Sequence, residues 1–220
     1  MRPNAINGPA SATADLANRR DLGVDVARLR ATRGGGDRAV LERLRAALPG
    51  AIVDRNTLYR TSAVECSADS CPRFAMIDWP LPPRSCQIRA TIGLIDTGVK
   101  ADHPALRERG VTRLSSRSEA RRPSSDRHGT AVAALLVGDG AHSHPGLLPA
   151  ADLVAVDAFH RNADGGDSAD SYDLVKALDL LAGRNVRIVN MSLAGGENDV
   201  VRDIVQSMTG KGVVLVAAAG

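Results

Sequence analysis

Aromatic side chains are scarce in this 220-residue sequence, at 2% of the residues, although hydrophobic residues of all kinds make up 44%. A core of ordinary size is therefore expected to consist of Ala, Val, Leu and Ile. Lysine is also rare, with only Lys100, Lys176 and Lys211, so arginine carries the basic charge. Single strands of nucleic acid are bound by basic residues interleaved with aromatic ones. With a net charge of only +3, the composition argues against a nucleic-acid partner.

Long apolar runs and cysteines are also few. No run approaches the length of a membrane span, and residues 1–20 lack the apolar stretch of a secretory signal. Cys66, Cys71 and Cys86 are the only cysteines, and they crowd into one short stretch. Their spacing lacks a second pair of metal ligands, so no metal site is expected. One local disulfide, with Cys71 and Cys86 as the favoured pair, fits an oxidising compartment, and we predict an extracytoplasmic protein, periplasmic or secreted.

The first part of the chain divides into three segments by composition. Residues 1–37 are polar and Arg-rich and are predicted to be a flexible leader with a short helix at about 13–31. Residues 38–62 join a helical pattern, RAVLERLRAALPG, to the strand-like alternation of AIVDRNTLYR. This helix–strand piece is too small to be stable alone, so it should dock on another part of the protein. Residues 63–87 hold the cysteines and several prolines and are predicted to be an irregular connector.

From residue 88 onward, apolar strand-like runs alternate with helical stretches. The strand-like runs are IRATIGLID, ADLVAVDAF, VRIVNMSL and GVVLVAAAG, and the helical stretches are HGTAVAALLVG, ADSYDLVKALDLLAG and ENDVVRDIVQSMTG. Continuous apolar strands separated by helices predict an α/β fold whose parallel sheet is covered by helices on both faces. In such sheets the functional groups gather at the carboxyl ends of the strands.

Two motifs at such positions carry candidate chemistry. The tripeptide Asp96-Thr97-Gly98 also occurs in aspartic proteases, but those are all-β and need two such loops, and no second Asp-Thr/Ser-Gly is present. His128 begins a helical stretch in SSDRHGTAVAALLVG. A buried carboxylate that accepts the Nδ1 proton of an imidazole leaves Nε2 free to take a proton from a nucleophile. Asp96 and His128 are therefore a candidate catalytic pair.

Four segments, in this order, resemble those of the subtilisin-like serine proteases, or subtilases. IGLIDTGV with HPAL resembles the aspartate motif, DRHGTAVAALLVG the histidine motif, IVNMSLAGG the substrate-binding segment, and GVVLVAAAG the strand that leads to the oxyanion asparagine. The resemblance spans residues 88–220 and excludes the aspartic-protease interpretation. It implies a three-layer subtilisin-like fold and peptide-bond hydrolysis by an Asp-His-Ser triad. Residues 38–60 also resemble, less specifically, the later part of a subtilase propeptide, and a plain N-terminal extension is the alternative.

The resemblance assigns roles residue by residue. It makes Asp96 the residue that orients His128, and His128 the general base. One wall of the substrate cleft is expected from Ser192, Leu193, Ala194 and Gly195, and the opposite wall of the primary pocket from Ala218, Ala219 and Gly220. Ala218, Ala219 and Gly220 are small, so an open primary pocket that admits apolar or bulky side chains is expected. The loop 163–168 resembles the family's other edge strand for substrate, and a Gly/Asp loop without that role is the alternative.

The sequence departs from the family pattern in two places. Ala105 stands where subtilases commonly have a calcium-binding Asp, so neither calcium nor another cofactor is expected. The resemblance ends at Gly220, before the family's oxyanion Asn and before the segment that carries the nucleophilic Ser, and Ser124 and Ser125 lack the turn that surrounds such a nucleophile.

These departures define the function that we expect. The chain is interpreted as an inactive fragment of a serine endopeptidase precursor that acts on polypeptides, with no indication of its oligomeric state. The alternative is a non-catalytic pseudoprotease that binds extended peptides. A dinucleotide-binding domain is a weaker alternative, because no strand is followed by Gly-x-Gly-x-x-Gly.

Overall fold

The computed structural model describes residues 12–31, 36–62, 89–139 and 146–218, with the backbone alone for residues 12–19. The helices in these ranges are α1 (Asp37–Ala47), α2 (Arg127–Val137), α3 (Ser171–Ala182) and α4 (Asp199–Gly210). The strands are β1 (Ala12–Arg19), β2 (Val24–Ala31), β3 (Leu58–Thr61), β4 (Thr91–Asp96), β5 (Val111–Ser115), β6 (Asp152–Asp157), β7 (His160–Arg161), β8 (Asp167–Asp170), β9 (Ile188–Met191), β10 (Leu193–Gly195) and β11 (Val214–Ala217). No helix in the described ranges is both long and apolar enough to cross a bilayer.

A five-stranded parallel sheet in the order β11-β9-β4-β6-β5 forms the centre of the molecule. On one face, Ile92 of β4 belongs to a buried cluster with Ala133 and Val137 of α2. On the other face, Ile95 belongs to a cluster that includes Leu178 of α3 and residues of α4. Successive residues of a strand point to opposite faces, so the continuous apolar run of β4 supplies both clusters. The predicted three-layer α/β fold is confirmed.

A second, smaller sheet joins the first part of the chain to this α/β region. Its order is β10-β3-β8-β7, and its pairs are antiparallel. β10 begins two residues after β9 ends, and β7 and β8 follow β6 along the chain, so this sheet lies at the carboxyl ends of the central strands. β3, which comes from residues 38–62, is paired on both edges.

The helix predicted at about 13–31 is wrong. The chain there forms an antiparallel hairpin of β1 and β2, so the segment 1–37, predicted as a flexible leader, includes folded structure. The turn needs a positive φ, which Gly23 provides at +78°. Leu22 is buried, and its N–H donates to Oδ1 of Asp179 on α3 at 3.1 Å. The hairpin is therefore docked on the helix layer, and this tertiary contact overrides local helix propensity.

The helix predicted within residues 38–62 is α1, but the strand predicted after it is shorter than expected. Only Leu58–Thr61 forms β3, and the residues before it contact the ends of two helices instead. The predicted connector 63–87, with its three cysteines, lies outside the described residues. The edge strand β5 was not predicted, because its residues are only partly buried and do not form a continuous apolar run.

Candidate active site

Asp96 and His128 meet at the carboxyl edge of the central sheet. Asp96 is the last residue of β4 and is 1% exposed, and His128 is the second residue of α2. Nδ1 of His128 lies 2.7 Å from Oδ1 of Asp96, a short distance typical of a charge-assisted hydrogen bond. This bond fixes the tautomer that carries its proton on Nδ1 and leaves Nε2 as the acceptor.

Hydrogen bonds from backbone N–H groups hold the turn after β4 against the start of α2. The N–H of Gly129 donates to Oγ1 of Thr97 at 2.9 Å, and the N–H of Lys100 donates to Oγ1 of Thr130 at 2.9 Å. A Cβ at Gly129 would overlap with the carbonyl oxygens of Thr97 and Gly98. Glycine is required here because α2 approaches the turn closely, and the position of the imidazole depends on this approach.

A second, half-buried carboxylate supports the same turn. Asp157 ends β6 and pairs in register with Asp96 on the adjacent strand. Oγ of Ser124 accepts a hydrogen bond from the N–H of Gly98 at 2.9 Å and donates to Oδ1 of Asp157 at 2.9 Å. Burial raises the pKa of Asp157, against the lowering effect of its hydrogen bonds and of Arg117. No local sequence pattern indicates this network, because Ser124 and Asp157 lie in separate segments.

The pKa of His128 is raised above its ordinary value. The hydrogen bond to Asp96 is the largest cause, burial acts in the opposite direction, and the charge of Asp96 raises the pKa again. A backbone hydrogen bond with Ser62 adds a smaller increase. Asp96 therefore favours the imidazolium, which is the form that a general base reaches after it takes a proton.

Ser62 reaches His128 because the chain's own β3 lies in the groove beside it. The N–H of Ser62 donates to the carbonyl oxygen of Ser192 at 3.0 Å. Upstream, Thr61 pairs with Leu193, Arg60 with Ala194 and Tyr59 with Gly195 in antiparallel register; these β10 residues belong to the wall predicted from the sequence. The groove thus holds an extended polypeptide by strand addition.

The other edge of β3 pairs with β8, so the groove has two walls. Tyr59 lies opposite Ala169, and the N–H of Ser171 donates to the carbonyl oxygen of Thr57 at 2.9 Å. The wall strand starts at Asp167, later than most of the predicted loop 163–168. The side chains of β3 alternate: Tyr59 is 7% exposed and points inward, whereas the side chains before and after it are exposed.

Of the three residues predicted to form the opposite wall of the primary pocket, the structure describes Ala218. Ala218 follows β11 and is half-buried, and β11 ends with Ala217 opposite Met191 of β9. Ala219 and Gly220 lie outside the described residues. The role of these three residues as a pocket wall stays a prediction.

Sequence reasoning did not identify several residues of the bound segment and its surroundings that form these contacts. Tyr59 fills the groove, and Asp54, Asn56 and Asn198 form hydrogen bonds just upstream of it. Asn198 could have been identified as a helix N-cap from its place before DVVRDIVQSM. The partners of Asp54 and Asn56 lie more than 100 residues away, so no local pattern reveals their role.

Comparison with known proteins shows to which family the chain belongs. Residues 88–220 match the model of the subtilase family, peptidase S8. The chain belongs to the subtilase family. Among curated subtilases and related proteases, it is 32% identical over 133 residues to the thermostable alkaline protease of Halalkalibacterium halodurans, covering 60% of this chain and 35% of that protein. It is 29% identical over 131 residues to subtilisin DY of Bacillus licheniformis, covering 59% and 46% respectively.

A solved structure agrees with the subtilase fold. The S218A mutant of the protease domain of PatA superposes with a TM-score of 0.53 at 23% identity, covering 63% of this chain and 53% of that chain. At this identity the likeness shows the fold alone. The chain spans less than half the length of the two curated proteases named above.

Proposed function

We propose that this subtilase chain belongs to a serine-type endopeptidase in which Asp96 orients His128 and His128 is the general base. The observation that carries the proposal is the 2.7 Å hydrogen bond between these side chains beside a groove that already holds a polypeptide strand. The four family segments matched here do not include the nucleophilic serine. The proposal therefore concerns a protein that contains this chain together with the segment that carries the nucleophilic serine.

The proposed reaction is an acyl transfer to serine followed by hydrolysis. Nε2 of His128 takes the proton of the serine hydroxyl as its oxygen attacks the carbonyl carbon of the substrate. The imidazolium then gives that proton to the leaving amine as the peptide bond breaks. Water attacks the acyl-enzyme by the same route, which releases the carboxylic acid and restores the serine and His128. Asp96 stabilises the imidazolium in both steps.

The N-terminal part of the chain is proposed to be an intramolecular propeptide that ends at Ser62. Supporting this, residues 38–62 supply the strand in the groove, and the backbone of Ser62 lies close enough to His128 to contribute to its raised pKa. Ser62 is the residue of the bound segment that lies nearest the general base, so we infer that the peptide bond on its carboxyl side is the one presented to His128. We therefore propose that the enzyme cuts its own chain between Ser62 and Ala63.

The same register indicates what the groove selects. Tyr59, three residues before Ser62, is buried, and a Cβ on Gly195 would overlap with its ring. We propose polypeptide substrates bound in extended form, with an aromatic side chain at the Tyr59 position. An extracytoplasmic location is part of the same proposal.

The test uses the product of the complete reading frame, beyond residue 220, treated with a fluorophosphonate probe that reacts with activated serines. We expect labelling that disappears in His128→Ala. A folded full-length protein that is not labelled would contradict the endopeptidase proposal. Because β3 binds by strand addition, that result would instead favour the pseudoprotease that binds extended peptides.

A further inference from the structure

The polypeptide in the groove makes specific contacts well upstream of Tyr59. Oδ2 of Asp54 accepts a hydrogen bond from the N–H of Asp199, the first residue of α4, at 2.7 Å. Oδ1 of Asn56 accepts from the N–H of Tyr172 and from Oγ of Ser171, each at 3.0 Å. Residues 54–57 therefore bridge the first turns of α3 and α4.

Asn198 is the protein's own side chain at this bridge. It is 5% exposed, and its Oδ1 accepts from the N–H of Val201 at 3.0 Å, which caps α4. Its Nδ2 donates to the carbonyl oxygen of Arg55 at 2.7 Å and to Oγ1 of Thr57 at 3.2 Å. If residues 54–57 leave the groove, this buried amide loses both acceptors.

The bridge combines two kinds of recognition. Asn198 contacts the backbone at Arg55 and so holds any extended chain, whereas the helix N–H groups contact side chains at Asp54 and Asn56. A helix N-terminus favours an anionic partner, which suits the Asp54 carboxylate. These contacts therefore favour an acidic residue at the Asp54 position and an amide side chain at the Asn56 position over apolar residues.

We propose that these contacts form an upstream subsite for substrates once residues 1–62 have been cut away. The upstream subsite consists of Asn198, the N–H of Asp199, Oγ of Ser171 and the N–H of Tyr172. It would bind extended polypeptides with an acidic residue eight positions before the Ser62 position and an Asn six positions before it. This inference rests on the proposed endopeptidase function, because it assigns a role to the same groove in catalysis on other proteins.

The test compares internally quenched peptides with the matured full-length enzyme. One peptide carries residues 54–64 of this sequence, one begins at Leu58, and one is the long peptide with Asp54→Ala and Asn56→Ala. Lost hydrogen bonds of this kind are expected to lower kcat/KM by about tenfold or more for the short and the substituted peptides. The readout is the ratio of kcat/KM between the long and the short peptide.

Variants of the enzyme test whether the difference in kcat/KM between the peptides arises at the upstream subsite. Asn198→Asp keeps an N-capping oxygen but replaces the Nδ2 donor with an acceptor, so we expect the ratio to fall, although not to one, because the helix N–H groups still bind Asp54 and Asn56. Asn198→Ser keeps a capping hydroxyl without a negative charge and should give the same fall. Gln206→Glu adds the same charge on an exposed position of α4 and should keep the wild-type ratio. Circular dichroism verifies that each variant is folded.

The outcomes separate this inference from the proposed function. A ratio near one in the wild-type enzyme, with both peptides cut, would overturn the upstream subsite and leave the endopeptidase intact. The same holds if the variants at Asn198 keep the wild-type ratio. An enzyme that is neither labelled by the fluorophosphonate nor able to cut any peptide would overturn both.

Discussion

The Asp96–His128 pair and the groove beside it are built in different ways. The pair is held by hydrogen bonds between the end of β4 and the start of α2, two elements that pack in one core cluster. The walls of the groove, β8 and β10, are not hydrogen-bonded to each other in the described part of the chain, and β3 lies between them. The pair therefore belongs to the α/β core, whereas the small sheet depends on the strand that fills the groove.

This difference separates chemistry from substrate binding. A preorganised base needs no energy to assemble when substrate arrives, which is how electrostatic preorganisation lowers a barrier. A groove completed by its ligand gains backbone hydrogen bonds only when a strand enters it. Changes near β4 and α2 should therefore abolish catalysis. Changes in β3 should release this strand from the groove while the Asp96–His128 pair stays intact.

The largest effect is expected from Asp96→Asn. The amide presents a different hydrogen-bonding pattern to Nδ1 of His128 and favours the wrong tautomer, so kcat of the full-length enzyme should fall by about 10⁴-fold. Because Asp96 is also the main cause of the raised pKa of His128, that pKa should fall. Kinetics and NMR titration of the imidazole measure the two effects. Asp203→Asn, at an exposed position of α4, is the matched control and should change neither.

Gly129→Ala should break the pair through the backbone. The added Cβ would overlap with carbonyl oxygens of the turn after β4, and overpacking of this kind costs about 1–3 kcal/mol of unfolding free energy. Urea denaturation measures the loss. Gly210→Ala, at an open position of α4, is the control and should be neutral or slightly stabilising. Equal stability of the two variants would contradict the close approach of α2 to the turn.

Tyr59→Ala should release β3 from the groove and leave the Asp96–His128 pair intact. Removing a buried aromatic ring costs about 3 kcal/mol, so β3 should exchange its amide hydrogens much faster while β4 and α2 stay protected. Hydrogen exchange read by mass spectrometry follows each segment. Tyr59→Phe keeps the ring and should behave like the wild type. Equal loss of protection in β4 and β3 would mean that the pair and the groove form one unit.

The smallest effect concerns pH. The pKa of His128 is raised in the folded protein, so its contribution to stability is complete below the pKa of unfolded histidine. That contribution is lost as pH rises through the raised folded value. Since Ser62 is a minor cause of the increase, Tyr59→Ala should lower the pKa of His128 slightly and leave it above its ordinary value. NMR titration of both proteins measures the difference, and an unchanged pKa would argue against the contact with Ser62.

The sequence predicted the α/β core well because buried parallel strands are continuous apolar runs that end where the functional residues begin. Asp96 and His128 could be placed from their motifs alone. β5 was missed because it is an edge strand with exposed residues such as Arg113. The hairpin of β1 and β2 was missed because its packing against Asp179 is a long-range contact. For the same reason the alternation in AIVDRNTLYR predicts a strand but not its place between β8 and β10.

The most direct test of the account is the N-terminus of the full-length protein after it folds. If Asp96 and His128 act on the strand that fills their own groove, mass spectrometry should find a new N-terminus at Ala63 that is absent from His128→Ala. A protein that stays uncut in both forms, or is cut at the same bond in both, would contradict the account.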